Sequence, residues 1–577
     1  MRFVAGAAAF ALLAGGLGAT VSAEAATSSR SVPTPHAAVT PPPVNWGACP
    51  SSYTDLQSVG AQCATIQVPL NPVGDPTGPT TSLEISMIQH TSSPADYQGI
   101  ILSNPGGPGG SGLDLNYYLT QQLEYEAAHQ TGQAAANDTA SVADYDWIGF
   151  DPRGINTSTP TITCDANYFS ADRKSYDPTT KALLNYWLKR SKGYAHDCTK
   201  HGAAQNAVLS NDTTVDSAYD MNAIMLDLGQ SQLSYYGFSY GTYLGQVYAS
   251  LFPSTVKRLI LDSNIDPRAV WYHANLNQDV AFNRNINIWF KWLAKYNKVF
   301  HLGKTESAVS KRFYGEESYL AKHPIKVGKK AAIGPDEWVD LFLEAGYYEQ
   351  TWVGNPDEPG LGYAFADWIN KHNTAARNEL VDLYEATDAP GYDNEFAGYL
   401  AVECSDTSWP GVKTELNANA HLNKKYPFET WANNWFNAPC YPGYWPYSRS
   451  KPAKIDLKPV SSGLLIDETL DAATPFEGSE YVRSIFPNSV LLAEPGGTTH
   501  ADSLFGDLCV DNTIAKYIAT GYLPPRKAHA NWDITCKPLL EGPIPPKKQP
   551  WKPSISAQRK PSIAQRPMIN ARFLLAR

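Results

Sequence analysis

The chain has 577 residues, 43% hydrophobic and 18% charged, a balance that excludes a disordered polyelectrolyte and a disulfide-stapled miniprotein and leaves a large enzyme or several domains. Its net charge is −10, yet residues 541–577 hold eight Lys/Arg against one acid, Glu541, so the other 540 residues sum to −17, seven units below the total. So acidic a body argues against a nucleic-acid partner.

The N-terminus carries Met1-Arg2, the apolar run Phe3–Val21 and the small-residue site Ala23-Glu24-Ala25. This pattern predicts a secretory signal peptide over 1–25, hence a secreted protein with no stable membrane insertion after processing. Residues 26–43, dense in Ser, Thr and Pro, read as a spacer or pro-segment. The basic, Pro-rich tail over 541–577 reads as a disordered appendage. Cysteines stand at Cys49, Cys63, Cys164, Cys198, Cys404, Cys440, Cys509 and Cys536, without a C-x-x-C spacing for zinc or a redox dithiol. The even count suits four disulfides in an oxidising compartment. Of the roughly one hundred connectivities open to eight cysteines, pairing each with its neighbour closes the shortest loops.

After the spacer, Cys63–Leu70 and Leu83–Gln89 read as strands separated by Pro/Gly turn signals. Short apolar runs then end in Gly- or Asp-rich turns: Gly99–Ser103, Trp147–Phe150, Leu233–Tyr236 and Val256–Leu261. Continuous apolar runs of that length read as buried parallel strands. Between them Val215–Leu228 has helical spacing, and strand-helix alternation implies an α/β sheet covered on both faces. From 270 to 455 the rhythm becomes Trp-rich and helical, as in Ile286–Lys298, Pro335–Tyr348, Tyr363–Asn370 and Ala375–Glu385, with no strand-like run. The sheet pattern resumes at Ser462–Ile466 and Ser489–Leu492. The expected organisation is a core over 44–269 and 456–540 with a mainly helical lid inserted over 270–455. Ten of the fifteen Trp fall in the lid, most of them expected in its packing rather than in a cleft.

Gly237-Phe238-Ser239-Tyr240-Gly241 joins the strand Leu233–Tyr236 to a helix-compatible stretch, Thr242–Leu251. A G-x-S-x-G turn in that context is a nucleophile elbow, its glycines required by the tightness of the turn. A serine hydroxyl needs a His to accept its proton and a carboxylate to hold that His in the right tautomer. In the order Ser, acid, His, the acid is Asp471 in the turn Asp471-Ala472-Ala473-Thr474-Pro475, with Asp467 and Glu468 as rivals. The base is His500, after the Gly-rich turn Pro495–Thr499. Asn104-Pro105-Gly106-Gly107-Pro108-Gly109-Gly110-Ser111-Gly112 follows the early strand, where an α/β-hydrolase supplies an oxyanion N–H. Gly107 is the expected donor with Gly106 in reserve, Pro108 has no N–H, and Tyr240 supplies the second. No Gly-Lys-Ser/Thr follows, which excludes a nucleotide P-loop. Such acyl transfer needs no metal and no organic cofactor.

The Gly-rich loop, Asp151-Pro152-Arg153-Gly154, the elbow, Asp471-x-x-Thr474-Pro475 and His500 together resemble the secreted tripeptidyl aminopeptidases of actinobacteria, serine peptidases of the prolyl-aminopeptidase-like α/β-hydrolase group. The resemblance spans roughly residues 45–540 and implies an α/β-hydrolase fold with a lid, and release of short peptides, often tripeptides, from a free N-terminus. It also implies that lid carboxylates bind the substrate's α-ammonium. Glu403-Cys404-Ser405-Asp406 resembles the family's Cys-x-Asp lid element, which makes Glu403 and Asp406 the candidates. The chain departs from prolyl aminopeptidases at Asn104, where they usually carry His, and at Ile155-Asn156. A carboxylesterase or lipase-like hydrolase is the rival enzyme, since the same machinery cleaves esters. A silent binding protein on a hydrolase scaffold is the rival from another class.

Overall fold

The computed structural model describes residues 43–170, 173–328, 330–354, 360–387, 392–539 and 542–543. The expected signal peptide, nearly all of the spacer and the tail beyond 543 lie outside the described residues.

Twelve strands are present among the described residues: β1 (Gly47–Ala48), β2 (Gln62–Asn71), β3 (Asp75–Ile88), β4 (Ile100–Asn104), β5 (Asp146–Phe150), β6 (Leu233–Phe238), β7 (Val256–Asp262), β8 (Ile325–Val327), β9 (Lys330–Ile333), β10 (Gly463–Glu468), β11 (Ser489–Glu494) and β12 (Ile534–Thr535). Ten of them form one sheet in the order β1-β2-β3-β5-β4-β6-β7-β10-β11-β12. The pairs β1·β2, β2·β3 and β3·β5 are antiparallel, and every later pair in the sheet is parallel. This is the α/β-hydrolase arrangement with the antiparallel strands gathered at one edge. β4 and β6 are buried at every residue, as strands covered on both faces must be.

Alternation along each strand sorts the core into two layers. Ile101, Tyr236 and Ile260 pack on one face with Leu119, Leu123 and Ile514. Ile100, Leu102, Tyr235 and Leu259 pack on the other with Met221, Ile224 and Val247. The helix expected over Val215–Leu228 runs from Thr214 to Asp227, begun by a reciprocal capping box between Thr213 and Asp216.

The chain between β7 and β10 builds the cover. Its helices include Tyr272–Lys295, Glu306–Leu320, Pro335–Tyr347, Leu361–Lys371, Asp393–Ser405 and Thr430–Asn437. One feature corrects the strand-free expectation: β8 and β9 form a small antiparallel hairpin, whose strands are too short to display a period-2 pattern. All ten Trp of this region are buried; Trp289, Trp338, Trp352 and Trp435 pack with one face of the sheet, and Trp271, Trp409 and Trp445 with the other. Arg173, buried beside the cover, pairs with Asp336, Glu337 and Asp340 of the helix Pro335–Tyr347 at 3.1, 3.2 and 2.7 Å. The four disulfides are Cys49–Cys63, Cys164–Cys198, Cys404–Cys440 and Cys509–Cys536, each cysteine joined to its neighbour in the sequence. No helix among the described residues is long and apolar enough to cross a membrane.

Candidate active site

Ser239 stands between the end of β6 and the first turn of the helix Tyr240–Leu251, at φ 54° and ψ −124°. Non-glycine residues avoid that region unless the surroundings impose it. Here the Ser239 N–H donates to the Asp262 carbonyl at 3.0 Å, and the Thr242 hydroxyl donates to the Ser239 carbonyl at 2.6 Å. A Cβ on Gly237 would lie 2.4 Å from the Gly241 carbonyl oxygen, so the turn closes only with glycine at that position. The half-buried serine therefore sits at a helix N-terminus, where N–H groups and the helix dipole favour developing negative charge.

The Gly-rich loop approaches the elbow from β4. A Cβ on Gly106 would lie 2.6 Å from the Phe238 carbonyl oxygen and 2.9 Å from the Ser239 Cβ, at φ +101°. Buried Asn104 holds the loop by accepting the Gly106 N–H at 3.0 Å. Gly107, Ser239 and Tyr240 line one cavity together. The Asp151–Gly154 segment lies behind it as a brace. Arg153 donates Nε and Nη2 to Asp220 at 2.9 and 2.7 Å, and Asp151 accepts the Ser111 hydroxyl at 2.5 Å.

His500 Nδ1 lies 2.7 Å from Asp471 Oδ2. Thr474 donates its hydroxyl to the same oxygen at 2.8 Å and its N–H to Oδ1 at 3.0 Å, which fixes the carboxylate plane. That arrangement leaves His500 Nε2 buried and without a hydrogen bond among the described residues, the nitrogen a serine proton would need. The rival acids are engaged elsewhere: Asp467 accepts the Ser479 hydroxyl at 2.5 Å, and Glu468 accepts the Thr499 N–H. The loop carrying His500 is pinned on two sides. Its own N–H donates to the Tyr347 carbonyl of the cover at 2.8 Å, and Ala501 N–H donates to Ser263 Oγ, just past β7, at 2.7 Å.

The two candidate ammonium ligands part company. Glu403 lines the cavity with Ser239, and its Oε2 is buried without a hydrogen-bond partner. Burial, then the nearby Asp406 charge, push its carboxyl well above the ordinary range. Asp406 is absent from the lining. Its carboxylate accepts the Thr214 N–H at 2.8 Å, the Thr214 hydroxyl at 2.6 Å and Trp271 Nε1 at 3.3 Å, tying the cover to the first turn of the helix Thr214–Asp227. Burial raises it to about 6 against the pull of those donors. The cavity also presents Glu429, Asn275, Gln278 and Asn433 beside apolar Trp271, Phe282, Leu343 and Phe436. The sequence reading passed over these polar residues because none lies in a motif; an acid just before an aromatic helix, as at Glu429-Thr430-Trp431, is the sole local signal.

Comparison with known proteins places these features in context. Residues 99–308 match the family model described as alpha/beta hydrolase fold, and residues 426–530 match that described as TAP-like protein. The chain is 31% identical over 505 residues to a tripeptidyl aminopeptidase of Streptomyces lividans, covering 86% of this chain and 87% of that one. It is 26% identical to serine protease Hip1 of Mycobacterium tuberculosis, over 84% and 90% of the two chains. It is 27% identical to carboxylesterase B of the same organism, over 89% and 96%.

Proposed function

Because the chain belongs to the actinobacterial tripeptidyl aminopeptidase family of α/β-hydrolase serine peptidases, we propose that it is a secreted exopeptidase that releases tripeptides from free N-termini. Ser239 Oγ attacks the scissile carbonyl, and His500 Nε2 takes its proton and returns it to the leaving amine. Asp471 holds the imidazole tautomer and stabilises the imidazolium. The N–H groups of Gly107 and Tyr240 receive the oxyanion. Water then repeats the sequence on the acyl-enzyme.

The observation that carries the reading is that one cavity holds both the elbow serine and the buried Glu403 carboxyl, whose Oε2 has no hydrogen-bond partner. An endopeptidase cleft has no use for a buried acid facing no cation, because burying a charge is costly without a counter-charge. A peptide α-ammonium is such a partner, and its arrival ionises Glu403. Glu429 faces the same space, and we assign it to the same amine site. Asp406 is assigned to positioning the cover. Secretion is supported by four disulfides, which persist in oxidising compartments.

The likeness to a carboxylesterase keeps the ester reading in the test. The enzyme is offered a tripeptide anilide, its N-acetylated form and a short acyl ester, with Ser239→Ala as the blank. The free-amine anilide should be cleaved with the highest kcat/KM and acetylation should abolish cleavage. Turnover of the ester alone, or indifference to acetylation, rules out the aminopeptidase.

A further inference from the structure

The parallel register of β10 and β11 ends at Glu468 opposite Glu494, so the catalytic acid and base ride on two segments beyond the sheet. Proton transfer needs both side chains held to a fraction of an ångström, and a loop holds a side chain that closely only where its backbone is gripped. The Leu470 N–H joins the two segments by donating to the Gly497 carbonyl at 2.9 Å. Their outward carbonyls find donors on the cover.

One helix of the cover, Tyr272–Lys295, supplies those donors. Asn285, at 0% exposure, directs its Nδ2 to the carbonyls of Leu470 at 2.9 Å, Gly346 at 3.1 Å and Thr498 at 3.4 Å. Arg284 Nη2 donates to the carbonyls of Leu470 and Asp471, the latter at 2.8 Å. Two turns earlier Gln278 Nε2 donates to the Ala473 carbonyl at 2.7 Å, since a seven-residue step returns a helix to the same face. Arg284 Nε also donates to Asn285 Oδ1 at 2.9 Å. With carbonyls on one side and a guanidinium on the other, the amide is satisfied in a single orientation. The base loop meets the same part of the cover again, where Glu349 Oε1 accepts the Thr498 N–H and hydroxyl at 3.0 and 2.8 Å. The Asn285 amide therefore stands where acid turn, base loop and cover meet, gripping the residue before Asp471 and the second residue before His500.

We infer that Asn285, oriented by Arg284, is a positioning residue that keeps Asp471 and His500 in register for proton transfer. It is not among the residues lining the cavity and acts only through the backbone of the two catalytic segments. The inference rests on the triad assigned above and not on the amine site. It divides the cover between two tasks: the helix Tyr272–Lys295 seats the acid and the base, whereas Asp393–Ser405 bears Glu403.

The test compares the full wild-type chain with Asn285→Leu, which keeps the volume of the side chain and removes its donors. A tripeptide anilide and a short acyl ester are the substrates, and a fluorophosphonate that labels Ser239 both counts active sites and reports the reactivity of the triad without an amine. On each substrate the wild type cleaves, kcat per active site should fall about tenfold or more with KM within about twofold, and labelling should slow in parallel. A purely structural role would lower Tm and the number of active sites while leaving kcat per site and the labelling rate at wild-type values, and that result overturns the assignment. A loss confined to free-amine peptides, or carried by KM, overturns it too. An Asn285→Leu enzyme at full rate beside an inactive Ser239→Ala sinks the positioning role alone, whereas turnover surviving Ser239→Ala sinks the triad. Should Asn285→Leu fail to fold, Arg284→Met is judged by the same criterion, with Arg284→Lys, which keeps N–H donors, expected to recover part of the loss.

Discussion

Glu403 concentrates the chemistry of recognition in one side chain. Its carboxyl is buried and held well above the ordinary range, so the folded protein keeps a proton that the unfolded chain releases. Stability from such a group is complete below the unfolded pKa near 4 and is lost as pH climbs toward the raised folded value. Glu403→Gln removes that titration while preserving shape. The variant should therefore gain stability on the wild type as pH rises, read as a Tm difference that widens between about pH 5 and pH 9. The same change removes the negative charge that an α-ammonium needs. KM for a free-amine tripeptide anilide should rise about tenfold or more, the value of a charge-assisted hydrogen bond, with little effect on a short acyl ester. A flat Tm difference together with equal kinetic losses on both substrates would detach Glu403 from amine binding.

At the scale of elements, a close backbone contact brings the oxyanion loop against a cover helix distant in sequence. A Cβ on Gly109 would lie 2.5 Å from the Glu395 carbonyl oxygen and 2.8 Å from the Tyr399 N, at φ +91°. The oxyanion loop thus touches the backbone of the helix Asp393–Ser405, which carries Glu403. Gly109→Ala should push that helix away and strain the loop, lowering Tm by several degrees and kcat/KM by about tenfold or more. Unchanged values would show that loop and helix are not in register contact. The elbow, the Asp471 turn and the His500 loop were legible in the sequence because each is a local device with fixed spacing beside a buried apolar strand. β3 was legible only in part. Its first half contains Pro76 and Pro79, read as turn signals, but that half pairs with β2 while only Ile85–Ile88 also meet β5. A proline facing away from a ladder is tolerated. The helices Glu306–Leu320, Asp393–Ser405 and Val412–Leu422 were missed. Burial of Asp393–Ser405 is nearly all-round, which leaves no polar face to mark its period. Glu403 was found by resemblance to a lid element, and the separation of its role from that of Asp406 depends on Thr214, 192 residues away.

Across the whole molecule, the cover is fastened to the core by polar contacts and aromatic packing rather than by covalent bonds. Asp393 accepts N–H groups of Cys164 and Asp165 at 2.8 and 2.9 Å and the Tyr194 hydroxyl at 2.7 Å, while Asp406 takes Thr214 and Arg173 takes the helix Pro335–Tyr347. The disulfides instead close local loops, with separations of 14, 34, 36 and 27 residues, and none joins cover to core. Cys404–Cys440 lies wholly within the cover, next to Glu403, so its loss should loosen the amine site while leaving the triad elements of β6, β10 and β11 in place. The double substitution Cys404→Ser and Cys440→Ser should cost about 2–4 kcal/mol in denaturant unfolding, the usual effect of a loop of that size. It should also raise KM for free-amine peptides more than it lowers kcat on an acyl ester. Native protein should titrate no free thiol before reduction, since every cysteine is bridged. A variant equally impaired on both substrates would mean that cover and triad move as one body, and the division of labour between them would have to be given up.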